Sequence, residues 1–209
     1  MPRILIGVPV HISKDYALDR WLKSVSELSY KAEELFLVDN SPSETKYYEK
    51  LKALVPQVVK NIKVSIIHID IDEKYTDPEE RVSFAREEIR KKVLNEGFDW
   101  WFSWECDTIA PPDVLDKLLK FGDDFKLIHH TSPLRQEPTM SFENTFGISL
   151  VHRDLLIKYG FLYQWGRVDP FMPKCYHGAD SWFNRRVLRG GDAFTEITGL
   201  VKPVAHLDK

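Results

Sequence analysis

Two carboxylates, Glu105 and Asp107, flank Cys106 directly after the most apolar run of the chain, Trp100 to Trp104. Acidic side chains that follow a buried strand face the crevice where an α/β sheet binds its ligands, and a pair of them suits a hard divalent cation. The plainer account is that they end a strand and cap the helix opening at Pro111-Pro112-Asp113, and the tripeptide alone favours it. Arg86 lies on a long helical period that leads into this strand and could meet an anionic ligand over the same crevice. Against that, Arg81, Arg90, Lys91 and Lys92 crowd the same helix, and charge runs on helices usually face water.

Asp180 follows Gly178-Ala179 and opens an amphipathic segment; it is either an N-cap or a general base held at a helix start. His206 lies in the otherwise apolar tail Val201 to Leu207, where a lone histidine is more often structural than a metal ligand. His129 and His130 are neighbours on one strand, so they point to opposite faces and do not chelate together. Cys106 reads as a buried, inert thiol, with oxidation or soft-metal binding as the alternative. No His-x-x-x-His, Cys-x-x-Cys, Gly-rich phosphate loop or Gly-x-Ser-x-Gly elbow occurs, which argues against zincin, redox, P-loop and acyl-transfer chemistry.

The elements that must position these residues alternate between strand and helix. Apolar, β-branched runs predict strands over Arg3 to Val10, Glu34 to Asp39, Ile62 to Ile69 and Trp100 to Trp104. Helical spacing predicts helices from Tyr16 to Ser29, from Glu44 to Val55, and from Asp77-Pro78 to about Asn95, with Gly97 as the stop and Val82, Ala85, Ile89 and Val93 inward. In the second half, Lys126 to His130 and Gly147 to His152 read as strands, Tyr159 to Trp165 as a loop or short helix, and Asp180 to Arg189 as a helix stopped by Gly190-Gly191. This pattern predicts an α/β sheet with helices on both sides in one domain, with residues 1–110 and 111–209 as its two halves. The strand ends to inspect are Pro9 to His11, Asp39 to Ser41 and Glu105 to Asp107.

Composition narrows the class. The 209 residues carry 29 Lys+Arg against 32 Asp+Glu, a formal net charge of −3, with 43% hydrophobic residues. Such a chain buries a sizeable core, and a mildly acidic chain without basic runs is a poor partner for nucleic acid. No run free of Asp, Glu, Lys and Arg is longer than Ile4 to Ser13, so no transmembrane segment is expected. The 2 cysteines build no disulfide framework, and Met1-Pro2-Arg3 leads straight into a strand without a signal-peptide core. A cytoplasmic setting is expected; peripheral membrane attachment is the other option, although no basic amphipathic stretch supports it.

Taken in order, these features resemble the GT-A glycosyltransferases, in particular the large inverting family 2. Ile4-Leu5-Ile6-Gly7-Val8-Pro9-Val10 looks like that family's first strand, and Val38-Asp39-Asn40-Ser41 resembles the strand end whose Asp contacts the base. The run from Ala85-Arg86 through Gly97-Phe98-Asp99 to Glu105-Cys106-Asp107 is similar to the family's run from an Ala-Arg pair to its Asp-x-Asp metal motif, with Glu105 in place of the first Asp. Gly178-Ala179-Asp180 resembles the Glu-Asp pair that supplies the base, with the first acid missing, and His206 stands where many members place a metal-ligating histidine.

The resemblance implies a GT-A (Rossmann-like), mixed but mostly parallel sheet and transfer of a sugar from a nucleoside diphosphate-sugar to an acceptor hydroxyl, with inversion. It places Pro9, Val10, His11, Asp39, Arg86, Glu105 and Cys106 at the donor, and Asp107 and His206, with Glu105, around Mn²⁺ or Mg²⁺. A histidine ligand suits Mn²⁺ better. Asp180 becomes the base, and Tyr176, His177 and Trp182 become acceptor contacts, since aromatic rings pack on sugar C–H faces; for Trp182, ordinary core filling accounts as well. Trp165 belongs to the same aromatic group. The acceptor, a glycan, lipid or protein, leaves no signature, nor does the oligomeric state. Two alternatives stand beside this reading. One is a GT-A-like binding protein that has lost turnover. The other is a sugar nucleotidyltransferase, which usually has a Gly-rich, basic loop where this chain has Val8-Pro9-Val10-His11.

Overall fold

The structure, a computed structural model, describes residues 1–72, 74–75, 77–131, 146–162 and 178–208. Four strands of the first half are β1 (Ile4–Val10), β2 (Glu34–Asp39), β3 (Lys63–His68) and β4 (Trp100–Trp104). A two-residue strand β5 (Thr108–Ile109) follows, and then β6 (Leu127–His130), β7 (Ile148–His152), β8 (Thr195–Ile197) and β9 (Ala205–His206). The large sheet has seven strands in the order β3-β2-β1-β4-β7-β6-β8. β7 runs antiparallel to both its neighbours, while the other adjacent pairs are parallel. The expected mixed, mostly parallel sheet is therefore present.

The helices are α1 (Asp15–Ser26), α2 (Tyr47–Val58), α3 (Pro78–Glu96), α4 (Val114–Leu119), α5 (Arg153–Lys158) and α6 (Ala179–Arg189). They cover both faces of the sheet. On one face, Ile4, Ile6 and Val8 of β1 pack with Leu18, Trp21 and Leu22 of α1 and Leu51 of α2. On the other, Leu5 packs with Ala85, Ile89 and Val93 of α3 and Phe183 of α6. The alternation along β1 is what a strand buried on both sides requires. Gly7 lets α3 lie this close: a Cβ there would stand 2.3 Å from Ile89 Cγ2 and 2.7 Å from Trp101 Nε1. Trp101 Nε1 uses the space to donate to Gly7 O at 2.8 Å.

Start and stop chemistry sets α3. Asp77 accepts from Glu79 N at 2.8 Å as N-cap, Pro78 occupies the first turn, and Gly97 closes the helix with a left-handed φ of 69°. Three expectations need correction. The helix expected over 44–55 is a 3-10 turn, Ser43–Thr45, followed by left-handed Lys46 and then α2, because Thr45 Oγ1 bonds Pro42 O and breaks the first turn. Arg90 and Lys92 are not simply solvated: Arg90 binds Glu87 and Leu156 O, and Lys92 reaches Glu34 at 2.9 Å. Val82 is only half-buried.

Four elements escape sequence reading: α5, β8 and the β5/β9 pair. Each has six residues or fewer, too short to show a period. Among the described residues, no helix is long and apolar enough to cross a membrane.

Candidate active site at the ends of the central strands

Strand order reverses between β1 and β4: the chain builds β1, β2 and β3 outward on one side, then returns to place β4 on the other. Such a switch point opens a crevice beyond the carboxyl ends of the two strands. Glu105, Cys106 and Asp107 leave the end of β4 in a tight turn, with Thr108 N donating to Glu105 O at 3.0 Å and Trp104 Nε1 donating to Thr108 O at 2.7 Å. The turn sends alternate side chains to opposite sides. Cys106 enters the hydrophobic core beside α1, where burial pushes its thiol up to about 12; its side chain is thus no donor contact. Glu105 and Asp107 face the crevice.

His206 arrives through the β5/β9 ladder. Thr108 pairs with His206, and Leu207 N donates to Asp107 O at 2.8 Å. His206 Nε2 then lies 3.3 Å from Asp107 Oδ2. Glu105, Asp107 and His206 each offer a ligand atom, all within 4.8 Å of one another. Two carboxylates and an imidazole form a donor set for a divalent transition cation such as Mn²⁺, so the residues fit the metal the resemblance implies.

A lysine that drew no attention in the sequence reading joins them. Lys14 Nζ lies 3.1 Å from Asp107 Oδ1 and 3.3 Å from Glu105 Oε2. Asp107 has no exposed side-chain surface, and Tyr16 OH adds a long contact at 3.4 Å. Burial opposes ionisation of Asp107, but the His206 hydrogen bond and the Lys14 charge outweigh it and hold the carboxyl well below the usual carboxylate range. The Lys14 ammonium likewise lowers Glu105, against its burial. The signal for Lys14 was positional only: it follows β1, whose end was already expected at the crevice.

Arg86 lies behind the carboxylates. Its side chain is 3% exposed, and its guanidinium forms an ion pair with Asp180 Oδ1 and approaches Glu105 Oε1 at 3.7 Å. It also lies 5.1 Å from the centre of the Phe146 ring. Burial lowers its affinity for a proton, while Glu105 raises it. The solvated face considered for Arg86 is therefore not what the structure has. Asp180 is not the N-cap of α6, which is Gly178; it sits in the first turn, and Phe146 N donates to its Oδ2 at 2.9 Å. Ala179, where the family's first acid would stand, is fully buried.

On the donor side, Asp39 is 1% exposed and its oxygens are engaged: Ser41 N donates to Oδ1 at 3.0 Å, and His68 Nδ1 lies 2.8 Å from Oδ2. His68 Nε2 reaches Asp70 at 3.1 Å. Burial pulls the His68 pKa down, but the two carboxylates outweigh it and raise it. The Val10 side chain is buried in the core, so only its backbone reaches this region, accepting from Asn40 N at 3.1 Å. Pro9 and His11 are half-buried, and His11 caps the 3-10 turn Ile12–Lys14 by accepting from Ser13 N. Trp182 is half-buried on α6. Tyr176 and His177, with Trp165, lie outside the described residues. His129 and His130 do face apart: His129 bonds Ser149 and Asn184, whereas His130 bonds Thr131 O and Val201 N.

No protein-family model and no curated protein matches the sequence. Solved structures do match its fold, which is that of the GT-A-type nucleotide-sugar glycosyltransferases. The mannosyltransferase PcManGT from Pyrobaculum calidifontis, in complex with GDP-Man and Mn²⁺, superposes with a TM-score of 0.65 at 14% identity over 95% of this chain and 55% of that one. Staphylococcus aureus TarS 1–349, in complex with UDP-GlcNAc, gives 0.61 at 10% identity over 94% and 56%. The chain thus spans about half the length of these two enzymes. The 4-diphosphocytidyl-2C-methyl-D-erythritol synthase of Anaerococcus prevotii gives 0.57 at 9% identity over 95% and 89%.

Proposed function

We propose that the protein is a metal-dependent glycosyltransferase that moves a sugar from a nucleoside diphosphate-sugar to an acceptor hydroxyl with inversion. The observation that carries this reading is the convergence of Glu105, Asp107 and His206 at the switch point of a GT-A-type sheet. A fold neighbour that binds GDP-Man with Mn²⁺ supports the choice of ligand class. The donor lies over the first half, with its base toward Pro9, His11 and the Asp39–His68 corner. Glu105, Asp107 and His206 would hold Mn²⁺, which would supply charge neutralisation for the diphosphate leaving group.

The other steps belong to the chain's own side chains. Arg86, from beneath, orients Glu105 and Asp180 at once, which fixes the metal side and the base side of the crevice relative to each other. Asp180 accepts the proton of the acceptor hydroxyl as that oxygen attacks the anomeric carbon from the face opposite the leaving group. Phe146 N–H and Arg86 keep its carboxylate from rotating. Trp182, half-buried on α6, supplies part of the acceptor side.

A nucleotidyltransferase is the second reading, favoured by the match to 89% of the erythritol synthase chain. The two differ in leaving group: a glycosyltransferase releases a nucleoside diphosphate, and a nucleotidyltransferase releases pyrophosphate. Thermal unfolding with UDP, GDP, CDP and ADP, with and without Mn²⁺, is the first test. A ligand at about 100 times its Kd stabilises by about 2.7 kcal/mol, which at about 2–4 °C per kcal/mol raises Tm by about 5–11 °C. A metal-dependent rise with one nucleotide supports the donor site. No rise with any of them leaves a GT-A-like protein without donor binding.

A further inference from the structure

Asp107 is fully buried, and Glu105 stands beside it across one turn of chain. Two adjacent carboxylates, one fully buried and one 28% exposed, repel each other and need a counter-charge. Among the described residues, Lys14 is a cation that meets both, with contacts at 3.1 and 3.3 Å. Its placement is built by the backbone. The 3-10 turn Ile12–Lys14 is capped by His11, Lys14 N donates to His11 O at 2.9 Å, and Ile12 N donates to Ser41 Oγ at 2.8 Å. The neighbouring acid, Asp15, is taken by Lys50 at 2.6 Å, which leaves the Lys14 head directed at the crevice.

We propose that Lys14 is the resident counter-cation of the Glu105–Asp107 pair, occupying the position a divalent cation takes and giving it up when the metal enters. The proposal rests on the metal-binding reading above. A divalent ion sits about 2.0–2.6 Å from carboxylate oxygens. An ammonium in contact with the same oxygens would stand a few ångströms from it with like charge, so the two do not share the pair. The Lys14 side chain is 30% exposed, and four methylenes let its head swing into water without moving the backbone. Lys14 therefore offsets part of the charge of the metal-free pair and weakens its apparent metal affinity.

The test is Mn²⁺ affinity, read by the electron paramagnetic resonance of free Mn²⁺ and by calorimetry, in the wild type, Lys14→Met, Lys14→Arg and Asp107→Asn, with melting curves to establish folding. Lys14→Met is expected to bind Mn²⁺ about tenfold more tightly, equivalent to about 1.4 kcal/mol of ion pairing no longer displaced. Lys14→Arg keeps the charge and stays near the wild type, and Asp107→Asn loses binding. Metal-free Lys14→Met melts below the wild type and gains more from saturating Mn²⁺. Equal or weaker Mn²⁺ binding by folded Lys14→Met overturns the role of Lys14 while leaving the metal site standing. Absence of Mn²⁺ binding in every variant and in the wild type removes the metal reading and the proposal together.

Discussion

Arg86 is the residue on which the site's geometry depends most, and replacing it by Met gives a measurable consequence. The side chain is 3% exposed, while its partners Asp180 and Glu105 are 18% and 28% exposed. Met fills much of the aliphatic volume but leaves Asp180 without its cation and Glu105 with Lys14 alone. Removing one partner of a buried pair costs about 3–5 kcal/mol. Both acids keep some water, so the lower end applies, about 3 kcal/mol, or a fall in Tm of about 6–12 °C for a chain of this size. The double variant Arg86→Met/Asp180→Asn removes the orphaned charge and should recover about 1–3 kcal/mol of the loss. Thermal unfolding followed by circular dichroism, without metal and at fixed pH and ionic strength, reads all four corners of the cycle. If Arg86→Met melts within about 2 °C of the wild type, or the second substitution adds its loss to the first, Arg86 does not hold Asp180 and Glu105 together.

Three further outcomes follow from the same contacts. Asp107→Asn should abolish the Mn²⁺-dependent part of any nucleotide-induced rise in Tm while leaving the metal-free protein folded; a persisting metal-dependent shift would place the metal elsewhere. Asp180→Asn should retain Mn²⁺-dependent nucleotide binding and lower release of nucleoside diphosphate by about 10²–10⁴-fold, the contribution of a positioned base, with unchanged turnover refuting that role. His68 is held above its ordinary value near 6.5 by Asp39 and Asp70. Its contribution to stability is therefore complete below about pH 6.5 and is lost as pH rises through its higher folded-state value. His68→Gln should flatten the fall in urea-unfolding free energy across that interval, and a profile parallel to the wild type would show that His68 carries none of it.

The sequence reads well where function rides on local order. β2 and β4 coincide with the expected runs, and α3 is marked at both ends by Asp77-Pro78 and Gly97. Glu105 and Asp107 were legible because they follow an apolar strand. Arg86 was less so: a basic helix reads as solvated, and only the packing of α3 against β1 at Gly7 and the approach of α6 turn that face inward. Asp180 shows why a residue type does not settle a role. Asp in the first turn of a helix satisfies a cap signal, yet its oxygens bond Phe146 N and Arg86, far apart in sequence. His206 depends on a two-residue ladder with β5, and Lys14 on a single turn; neither has a period to detect.

Charge explains why these separate elements form one site. Among the described residues, the carboxylates Glu105, Asp107 and Asp180 meet the cations Arg86 and Lys14, and Glu79 also acts on Arg86. These carboxylates outnumber the two cations, which disfavours a diphosphate. A divalent cation held there would reverse that balance. Metal entry would thus convert an acidic crevice into an anion-attracting one. This ties donor binding to metal binding: a nucleoside diphosphate that bound as tightly without divalent metal as with it would break the link between this charge arrangement and the proposed reaction.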